Sequence, residues 1–370
     1  MTDDTHRMLR DSAANFARLD AARVRRLRGT DPGFERSVWR EMGDMGWLGV
    51  LIPETHEGLG LGMAATAIIA EQLGRALYPE PYCASAVLAT LALLHGDGAE
   101  LKQRFLPQLA TGAVVASLAW QNHTGGLDGT HCSVYAREHG GKLVLEGASR
   151  FVETPDADAY IVSARSERGL ELHWIERGTA GLSLTPEIRA DGSSSALLSF
   201  DNVAASEQTR VASAACAESA VGLAVDHALV AASAELLGVM DSALALTLEY
   251  LRTRVQFGKP IGSFQALQHR AVDMYIQKEL SRAALLAATA TLDNPRCAPE
   301  RRAAAASSVK ARASQAALAI CNEALQMHGA IGYTDEYDLG LYLNRALVLS
   351  AWLGNAGAHR RRYSTLLEAA

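Results

Sequence analysis

The spacing of apolar residues changes character twice along this chain. It is helical up to about residue 112, alternates with period two from about Ala113 to Val211, and is helical again to the C-terminus. Period-two alternation predicts strands, and helical spacing predicts amphipathic helices. Helical stretches do not alternate with the strands, so a Rossmann-type parallel sheet is not expected. The pattern therefore predicts a multi-domain α+β protein.

Three domains follow from these two changes. They are an N-terminal α-helical domain at 1–112, a middle antiparallel β-barrel-like domain at 113–211 and a C-terminal four-helix bundle at 212–370. Strands of the middle domain are expected to keep one face in water. Helices of the bundle are expected near 218–252, 264–292, 299–328 and 340–369, and the clearest N-terminal ones at 12–28, 34–49 and 63–78.

Bulk composition excludes several classes of protein. The net charge of −6 and the pI near 6.0 argue against a nucleic-acid binder, which is normally basic. No run of about eighteen apolar residues without charges occurs, so no membrane span is expected. The N-terminal residues lack the apolar core of a secretory signal. Five scattered cysteines make no metal-binding spacing, which predicts free thiols in a reducing cytoplasm and no metal site.

The segment from Arg252 to His269 reads RTRVQFGKPIGSFQALQH and separates the first two helices of the predicted bundle. It places arginine, an aromatic residue and two glycines in a short turn, which suits a helix break that directs Arg254 at an anion. A guanidinium group pairs with phosphate through two parallel hydrogen bonds, as an ammonium group does not. For Arg254 alone, capping of a helix C-terminus is the alternative interpretation.

A second unusual run, QMHGAIGY, extends from Gln326 to Tyr333. Together with the run EQLGR from Glu71 to Arg75, these segments resemble the acyl-CoA dehydrogenase family, and the match covers nearly the whole chain. That family has the same order of helical, β and helical domains. The resemblance implies FAD as cofactor, an acyl-CoA thioester as substrate and an electron-transfer flavoprotein as electron acceptor.

The resemblance also assigns cofactor residues. Arg254 is expected to contact the FAD pyrophosphate, Phe257 to pack near the adenosine part, and Gln265 to lie along FAD. Gln326 and Gly329 are expected to meet the adenosine diphosphate of FAD in the neighbouring subunit, where glycine lets the backbone approach a phosphate. Because the site is shared between subunits, the chain is expected to form at least a dimer.

Several positions depart from the family pattern. Ala330 stands where the second glycine of the family usually lies. The run from Phe151 to Thr154 replaces a Trp-rich strand that stacks on the flavin, and Phe151 is expected to take over the stacking. Glu153 is expected to place a negative charge near the flavin, which disfavours the reduced form. Trp120 and Gln121 are candidates for cofactor contacts, with core packing as the favoured role for Trp120.

The catalytic base is missing from both places where the family carries it. The reaction removes a weakly acidic α-proton, which requires a carboxylate within hydrogen-bond reach. The usual glutamate position falls on Leu353 or Gly354, and the less common one falls on Ala228. Asp226 matches an aspartate that the family uses to contact substrate, and it is the best candidate base within the chain.

Two other charged segments lie near the expected site. Asp335 and Glu336 are interpreted as solvent-facing turn residues, with a role as base as the alternative. The run from His359 to Arg362 is interpreted as a solvated face of the last helix, with contact to the CoA phosphates as the alternative.

Three functions are compatible with these residues. The first is FAD-dependent α,β-desaturation of an acyl-CoA in fatty acid or lipid metabolism by a homodimer or tetramer. The second is a non-catalytic subunit that shares FAD with a base-bearing paralogue in a hetero-oligomer. The third is an acyl-CoA or FAD binding protein without the base, or another flavoenzyme such as an N-oxygenase-like relative.

Overall fold

A computed structural model describes residues 3–127 and 132–368. The α-helices, numbered in chain order, are α1 Asp3–Phe16, α2 Ala21–Leu27, α3 Arg36–Asp44, α4 Gly62–Arg75, α5 Thr90–Leu94, α6 Ala99–Ala110, α7 Ala217–Thr253, α8 Gln265–Leu292, α9 Pro299–His328, α10 Leu339–Ala351 and α11 Ala356–Glu368. The strands are β1 Ala116–Ala119, β2 Val134–His139, β3 Lys142–Glu153, β4 Ala159–Ser166, β5 Gly169–Glu176, β6 Leu182–Ile188, β7 Ser194–Ala205, β8 Arg210–Ala212, β9 Val255–Gln256 and β10 Lys259–Pro260. The predicted mixed α+β class is confirmed.

The N-terminal helices are shorter than the apolar pattern predicted. The expected helix at 12–28 is two helices, because Asp20 starts a new one: its side chain accepts a hydrogen bond of 2.9 Å from the Arg23 N–H. The expected helix at 34–49 ends at Asp44, and Gly46 at φ 76° turns the chain into a short 3-10 helix, Trp47–Gly49. A π-helix, Tyr82–Ala89, precedes α5.

The strands of the middle region form one sheet in the order β6-β7-β3-β2-β4-β5-β8, with β1 paired to β4. Most pairings are antiparallel, as expected, but β4 pairs in parallel with both β1 and β2. The expectation of one wet face holds for β2 and is wrong for β4 and β5, which are buried on both faces. One cause is α6, whose Phe105 stacks on Trp174 of β5 with ring centroids 4.1 Å apart.

The chain forms two compact units. One contains residues 1–26, 67–78 and 229–370, and the other contains 27–66 and 79–228. Three of the unit boundaries fall inside helices, namely α2, α4 and α7. The three-domain division at 112 and 212 therefore remains a prediction.

Three of the four long C-terminal helices end within one residue of the expected bounds, and α9 packs against α8, α10 and α11. The expected fourth helix at 340–369 is wrong, because the chain breaks between α10 and α11. Trp352 leaves the helical region with ψ 133°, and Leu353 and Gly354 have φ values of 55° and 94°. Such angles cannot continue a right-handed helix.

Helix α7 is long and apolar enough, by length and composition alone, to cross a membrane, since one window of it has a mean hydropathy of 1.6. In the folded chain 78% of that window is buried inside the protein. The core helix of a globular protein has the same composition, so this helix is weak evidence for a membrane span.

Two glycines allow α4 and α7 to approach closely. A Cβ atom at Gly238 would lie 2.0 Å from the Glu71 carbonyl oxygen, and one at Gly74 would lie 2.2 Å from the Glu235 carbonyl oxygen. The same contact carries an ion pair of 2.7 Å from Arg75 to Asp241. The run EQLGR therefore serves helix packing: its glycine permits the approach and its arginine pairs across it.

We predict that Gly238→Ala lowers the free energy of unfolding by about 1–3 kcal/mol, because the added methyl group forces the two helix backbones apart. Gly222→Ala on the same helix is the matched control, since a Cβ there meets nothing within 4 Å. Alanine favours the helix by roughly 1 kcal/mol, so the control should be neutral or stabilising. Urea denaturation measures both, and equal effects would contradict the close approach.

Candidate functional site

The segment between α7 and α8 folds as a small hairpin of β9 and β10. Its two turn residues, Phe257 and Gly258, have φ values of 54° and 78°, as a type I′ turn requires. Phenylalanine rarely adopts such an angle, and this side chain is 91% exposed. Among the described residues, its ring contacts Phe264 edge-to-face, with centroids 6.2 Å apart. A strained and exposed aromatic side chain is a reason to expect that this surface contacts another molecule.

Arg254 lies at the base of this hairpin. Its N–H donates to the Tyr250 carbonyl at 2.9 Å, and its carbonyl accepts from the Ile261 N–H at 2.8 Å, so the backbone is fixed. The side chain is exposed, and its guanidinium has no hydrogen bond or ion pair with any residue that the structure describes. Gln265 is the first residue of α8 and is also exposed. The hairpin therefore presents a free guanidinium and an aromatic ring.

The end of α9 lies at the same end of this unit as Arg254. Tyr250, one helical turn before Arg254, stacks on His328 with centroids 4.4 Å apart and donates a hydrogen bond of 3.3 Å to the His328 carbonyl. His328 Nδ1 donates to the Ala324 carbonyl at 2.7 Å, so Nε2 accepts from the Tyr337 hydroxyl at 3.0 Å. Burial lowers the pKa of His328, which favours this neutral form.

Gln326 and Gly329 lie at the C-terminal end of α9, and both are exposed. Gly329 has φ 64°, and a Cβ there would meet nothing within 4 Å. The neighbouring Ala330 is exposed. A free guanidinium, an exposed aromatic ring and an open glycine backbone suit a pyrophosphate joined to adenosine. Arg254 and Phe257 therefore fit the dinucleotide part of FAD, and the open backbone at Gly329 fits that of an FAD in a neighbouring subunit.

Phe151 lies in the other compact unit, on a β-bulge. The register of β3 against β7 shifts between Ser149 and Val152, and Phe151 adopts φ 58° within the bulge. Gly125 leaves room for the ring, since a Cβ there would lie 2.9 Å from it. The Arg150 guanidinium lies 5.1 Å from the ring centroid. Bulges commonly re-aim a side chain beside an active site, which supports Phe151 as the residue expected to stack on the flavin.

From the sequence, Glu153 was expected to place a negative charge near the flavin. In the structure this charge is paired. Its carboxylate forms an ion pair with the guanidinium of Arg189. The pair reduces the net negative charge that Glu153 adds to its surroundings.

Trp120 is buried, as core packing requires. Gln121 binds within its own unit, where its side-chain amide donates to the Gly126 carbonyl at 2.9 Å and its backbone carbonyl accepts from Ser149 Oγ at 3.0 Å.

Asp226 lies in α7 with only 1% of its surface exposed and has an interaction partner in the chain. Ala228 is fully buried in the same helix. Asp335, in contrast, is a surface residue whose carbonyl accepts a hydrogen bond of 2.9 Å from the Arg25 side chain. Its place in an exposed turn agrees with the interpretation as a turn residue, and Glu336 is exposed beside it. The role of Asp226 remains a prediction.

Two buried basic residues hold the break between α10 and α11. Lys310 Nζ donates to the Gly354 carbonyl at 3.0 Å, the Ser350 carbonyl at 3.3 Å and Ser314 Oγ at 3.2 Å. The three acceptors match the three N–H groups of an ammonium. His359 Nε2 donates to the Leu353 carbonyl at 2.8 Å. The carbonyls at both candidate base positions are therefore fixed, although neither side chain is a carboxylate.

Burial has a strong effect on both basic residues. Lys310 is completely buried and has no carboxylate partner in the described part of the chain, and burial lowers its pKa to about 7. Burial and the nearby Lys310 lower the pKa of His359 to about 4. The prediction of a solvated face at 359–362 is wrong for His359, which is fully buried on the inner side of α11, and Arg362 donates to Ser307 Oγ at 3.0 Å.

Lys310 was not among the site residues predicted from the sequence. The signal was present, because the residues one helical turn away on either side of Lys310, such as Ala306 and Ser314, are small. A lysine on that face of a helix must be buried when the face packs against a neighbour. His359 was interpreted only as part of the charged run from His359 to Arg362.

The buried Lys310 predicts a pH dependence of stability. Its pKa in the folded chain, about 7, is below the ordinary value of 10.5, so the unfolded chain binds more protons between these values. Stability should therefore rise with pH through this window, by on the order of a few kcal/mol. Lys310→Met should remove that part of the rise.

The measurement is the free energy of unfolding by urea at several pH values between about 7 and 10. Lys142→Met, at an exposed position, is the control, and its profile should parallel that of the unchanged chain. A Lys310→Met profile that also parallels the unchanged chain would show that folding does not lower the pKa of Lys310.

Comparison with known proteins agrees with this geometry. Residues 3–113 match the model of the acyl-CoA dehydrogenase N-terminal domain, and residues 209–365 match that of the C-terminal domain. The chain is 30% identical to the acyl-CoA dehydrogenase IpdE2 of Mycobacterium tuberculosis over 346 residues, which is 93% of this chain and 91% of that protein. It is 28% identical to the mitochondrial isovaleryl-CoA dehydrogenase of Solanum tuberosum, over 97% of this chain and 89% of that protein.

Among solved structures, the ChsE4–ChsE5 complex of Mycobacterium tuberculosis is similar with a TM-score of 0.89 and 25% identity, covering 100% of this chain and 99% of that one. The chain therefore belongs to the acyl-CoA dehydrogenase family, and its cofactor is FAD.

Proposed function

We propose that this chain is the FAD-binding subunit of an assembly that desaturates an acyl-CoA thioester between Cα and Cβ and passes the electrons to an electron-transfer flavoprotein. The main support for this proposal is the fixed backbone at the break between α10 and α11. The chain fixes the backbone at Leu353 and Gly354 with two buried basic groups, yet it supplies no carboxylate there. The base then comes from a paralogous subunit.

FAD, when bound, supplies the acceptor for the hydride that leaves Cβ. The residues of this chain bind and orient it. Arg254 holds the pyrophosphate by charge-assisted hydrogen bonds, Phe257 packs near the adenosine part, and Gln265 lies along FAD. Phe151 stacks on the ring system. Gln326 and Gly329 reach the adenosine diphosphate of FAD across a subunit contact.

A heteromeric assembly has a parallel among the similar structures, since ChsE4–ChsE5 is a complex of two different chains. The exposed surface also favours assembly. Helix α8 exposes large apolar side chains at helical spacing: Val272 54%, Tyr275 52%, Ile276 45%, Leu280 52% and Leu286 63%. Exposed patches of this kind mark protein–protein contacts. We propose that this face of α8 contacts another subunit.

The second candidate is a self-sufficient homo-oligomer in which Asp226 is the base. Its support is that Asp226 is a carboxylate shielded from water, at the position where the family places a substrate contact.

The five cysteines are free thiols, which supports the proposed cytoplasmic location.

We predict that Arg254→Ala greatly weakens FAD binding while the fold is retained, because charge-assisted hydrogen bonds contribute roughly 1.5–3 kcal/mol each. Flavin absorbance per subunit after gel filtration measures this. Arg252→Ala, another exposed arginine of the same segment, is the matched control and should keep its flavin. Flavin retained at unchanged affinity in Arg254→Ala would refute the assignment.

We also predict that Leu353→Glu gives or raises α-proton abstraction in the homo-oligomer, by about 10²–10⁴-fold as general bases typically do. Leu353→Gln is the control, because it buries a side chain of the same shape without a base. Gly354→Glu is the less favourable test, since φ 94° strains any side chain. Anaerobic bleaching of the flavin by acyl-CoA is the measurement.

The source of the native base is settled by two companion measurements. If Asp226→Asn abolishes bleaching by the unchanged homo-oligomer without loss of FAD, the second candidate is correct. If the homo-oligomer is inert and co-expression with a glutamate-bearing paralogue restores bleaching, the first is correct. Bound FAD with no desaturation in any of these preparations would refute the dehydrogenase function.

A further inference from the structure

Two ion pairs flank the strained backbone of Phe151, and they have opposite polarity along β3. Before it, the Arg150 guanidinium binds the Glu187 carboxylate, with Nε 3.0 Å and a terminal nitrogen 2.7 Å from the same oxygen. After it, the Glu153 carboxylate binds the Arg189 guanidinium. Both partners come from β6 or from the residue that follows it. The bulge that carries Phe151 is therefore held on both sides.

These pairs reach across β7, which lies between β3 and β6 in the sheet. Ser195 of β7 is paired in register with Glu153 on one side and with Glu187 on the other. Residues paired in this way point to the same face of a sheet. Ser195 is small and buried, so it leaves room for the longer side chains to meet above it. The small residues of β7 therefore permit contacts between strands that are not neighbours.

The turn between β6 and β7 fixes the Arg189 side chain. Its Nε atom donates to Ser193 Oγ at 3.0 Å, and its backbone N–H donates to the Ser193 carbonyl at 2.8 Å. One terminal nitrogen donates to the Ser194 carbonyl at 3.4 Å. Because a guanidinium is planar and rigid, these bonds set the direction of its remaining N–H groups. The other terminal nitrogen is thereby directed at Glu153.

The two ion pairs differ in how strongly water screens them. The side chains of Glu153 and Arg189 are 13% and 22% exposed, whereas those of Arg150 and Glu187 are 41% and 30% exposed. Water and salt screen exposed pairs well and partly buried pairs much less. Loss of one partner from the Glu153 pair would leave an uncompensated charge in a poorly hydrated place. A change of charge within this pair therefore has the larger effect on its surroundings.

We propose that Arg189 is a positioning residue of the flavin site, which cancels the charge of Glu153 and thereby keeps the flavin easy to reduce. Hydride transfer adds one negative charge to a flavin, so an unpaired carboxylate beside the ring disfavours reduction and a cation favours it. Arg189 acts through Glu153 and is assigned no contact with FAD. This role rests on the proposed function at one point, the placement of Phe151 and Glu153 beside the flavin.

The test is the midpoint potential of the bound FAD, measured without acyl-CoA by anaerobic equilibration with a redox dye of known potential. Arg189→Gln should lower the ratio of reduced to oxidised flavin at a fixed potential about tenfold, the effect of a unit charge in a partly buried site. For a two-electron couple a tenfold change is about 30 mV. Glu153→Gln should raise the ratio. The double variant should return it to within about twofold of the unchanged chain, because the two charge changes cancel.

Arg137→Gln and Glu146→Gln are the matched controls. These two residues also form an ion pair between strands of the same sheet, with 3.4 Å between their charged groups. Glu146 lies on β3, as Glu153 does, but about 20 Å further back along the strand. That distance exceeds the screening length in ordinary salt, so neither control should move the potential. A shift for Arg137→Gln equal to that for Arg189→Gln would reduce the effect to diffuse charge and overturn the proposal.

Two further variants keep the test decisive where Arg189→Gln does not fold. Arg189→Lys keeps the positive charge and should keep the potential of the unchanged chain. The double variant removes both charges together, so no buried charge is left without its partner. An unchanged potential in Glu153→Gln would refute the role of the pair. So would a double variant that keeps the full shift of Glu153→Gln, or shifts of the same sign in the two single variants.

Failure of this proposal is distinguishable from failure of the proposed function. If Arg254→Ala loses its flavin as expected and Glu153→Gln leaves the potential unchanged, FAD is bound but Glu153 is not beside the ring. If Arg254→Ala keeps its flavin while the pair variants shift the potential as expected, the assignment of Arg254 fails and Arg189 keeps its role. The potential is measured without substrate, so the source of the catalytic base does not affect it.

Discussion

The buried ammonium of Lys310 links α9 to the break between α10 and α11 by hydrogen bonds. The backbone geometry of that break, which holds the candidate base positions Leu353 and Gly354, depends on it. Its three hydrogen bonds end on Ser314 and on the carbonyls of Ser350 and Gly354. A cation at the C-terminus of α10 also interacts favourably with the helix dipole. Burial of a charge without a carboxylate partner is costly, which is why its pKa falls to about 7. The fold therefore accepts a cost in stability to fix this loop.

Backbone strain marks the expected site positions. Phe151, Phe257 and Leu353 all have φ values between 54° and 58°, which bulky residues rarely adopt. The resemblance to the family had selected these same three positions. The first lies on a strand bulge, the second in a hairpin turn and the third in a helix break.

The sequence predicted the fold class and three of the four bundle helices because apolar periodicity reports burial directly. It did not reveal the break at Leu353, because nothing in an apolar run shows that a leucine adopts φ 55°. Nor did it reveal the pairing of Glu153 with Arg189, which lie far apart in the chain. Such contacts depend on sheet register, which alternation alone does not specify. Arg254 was identified because its neighbours form a dense local motif.

We propose that the chain fixes the backbone of a dehydrogenase site without supplying the catalytic base. Exchange of the α-proton of a bound acyl-CoA in deuterated water tests this most directly, since exchange needs a base and no electron acceptor. NMR of the recovered acyl-CoA would measure it. No exchange above the uncatalysed background is expected for the purified, FAD-loaded homo-oligomer. Rapid exchange by that homo-oligomer alone would contradict this proposal.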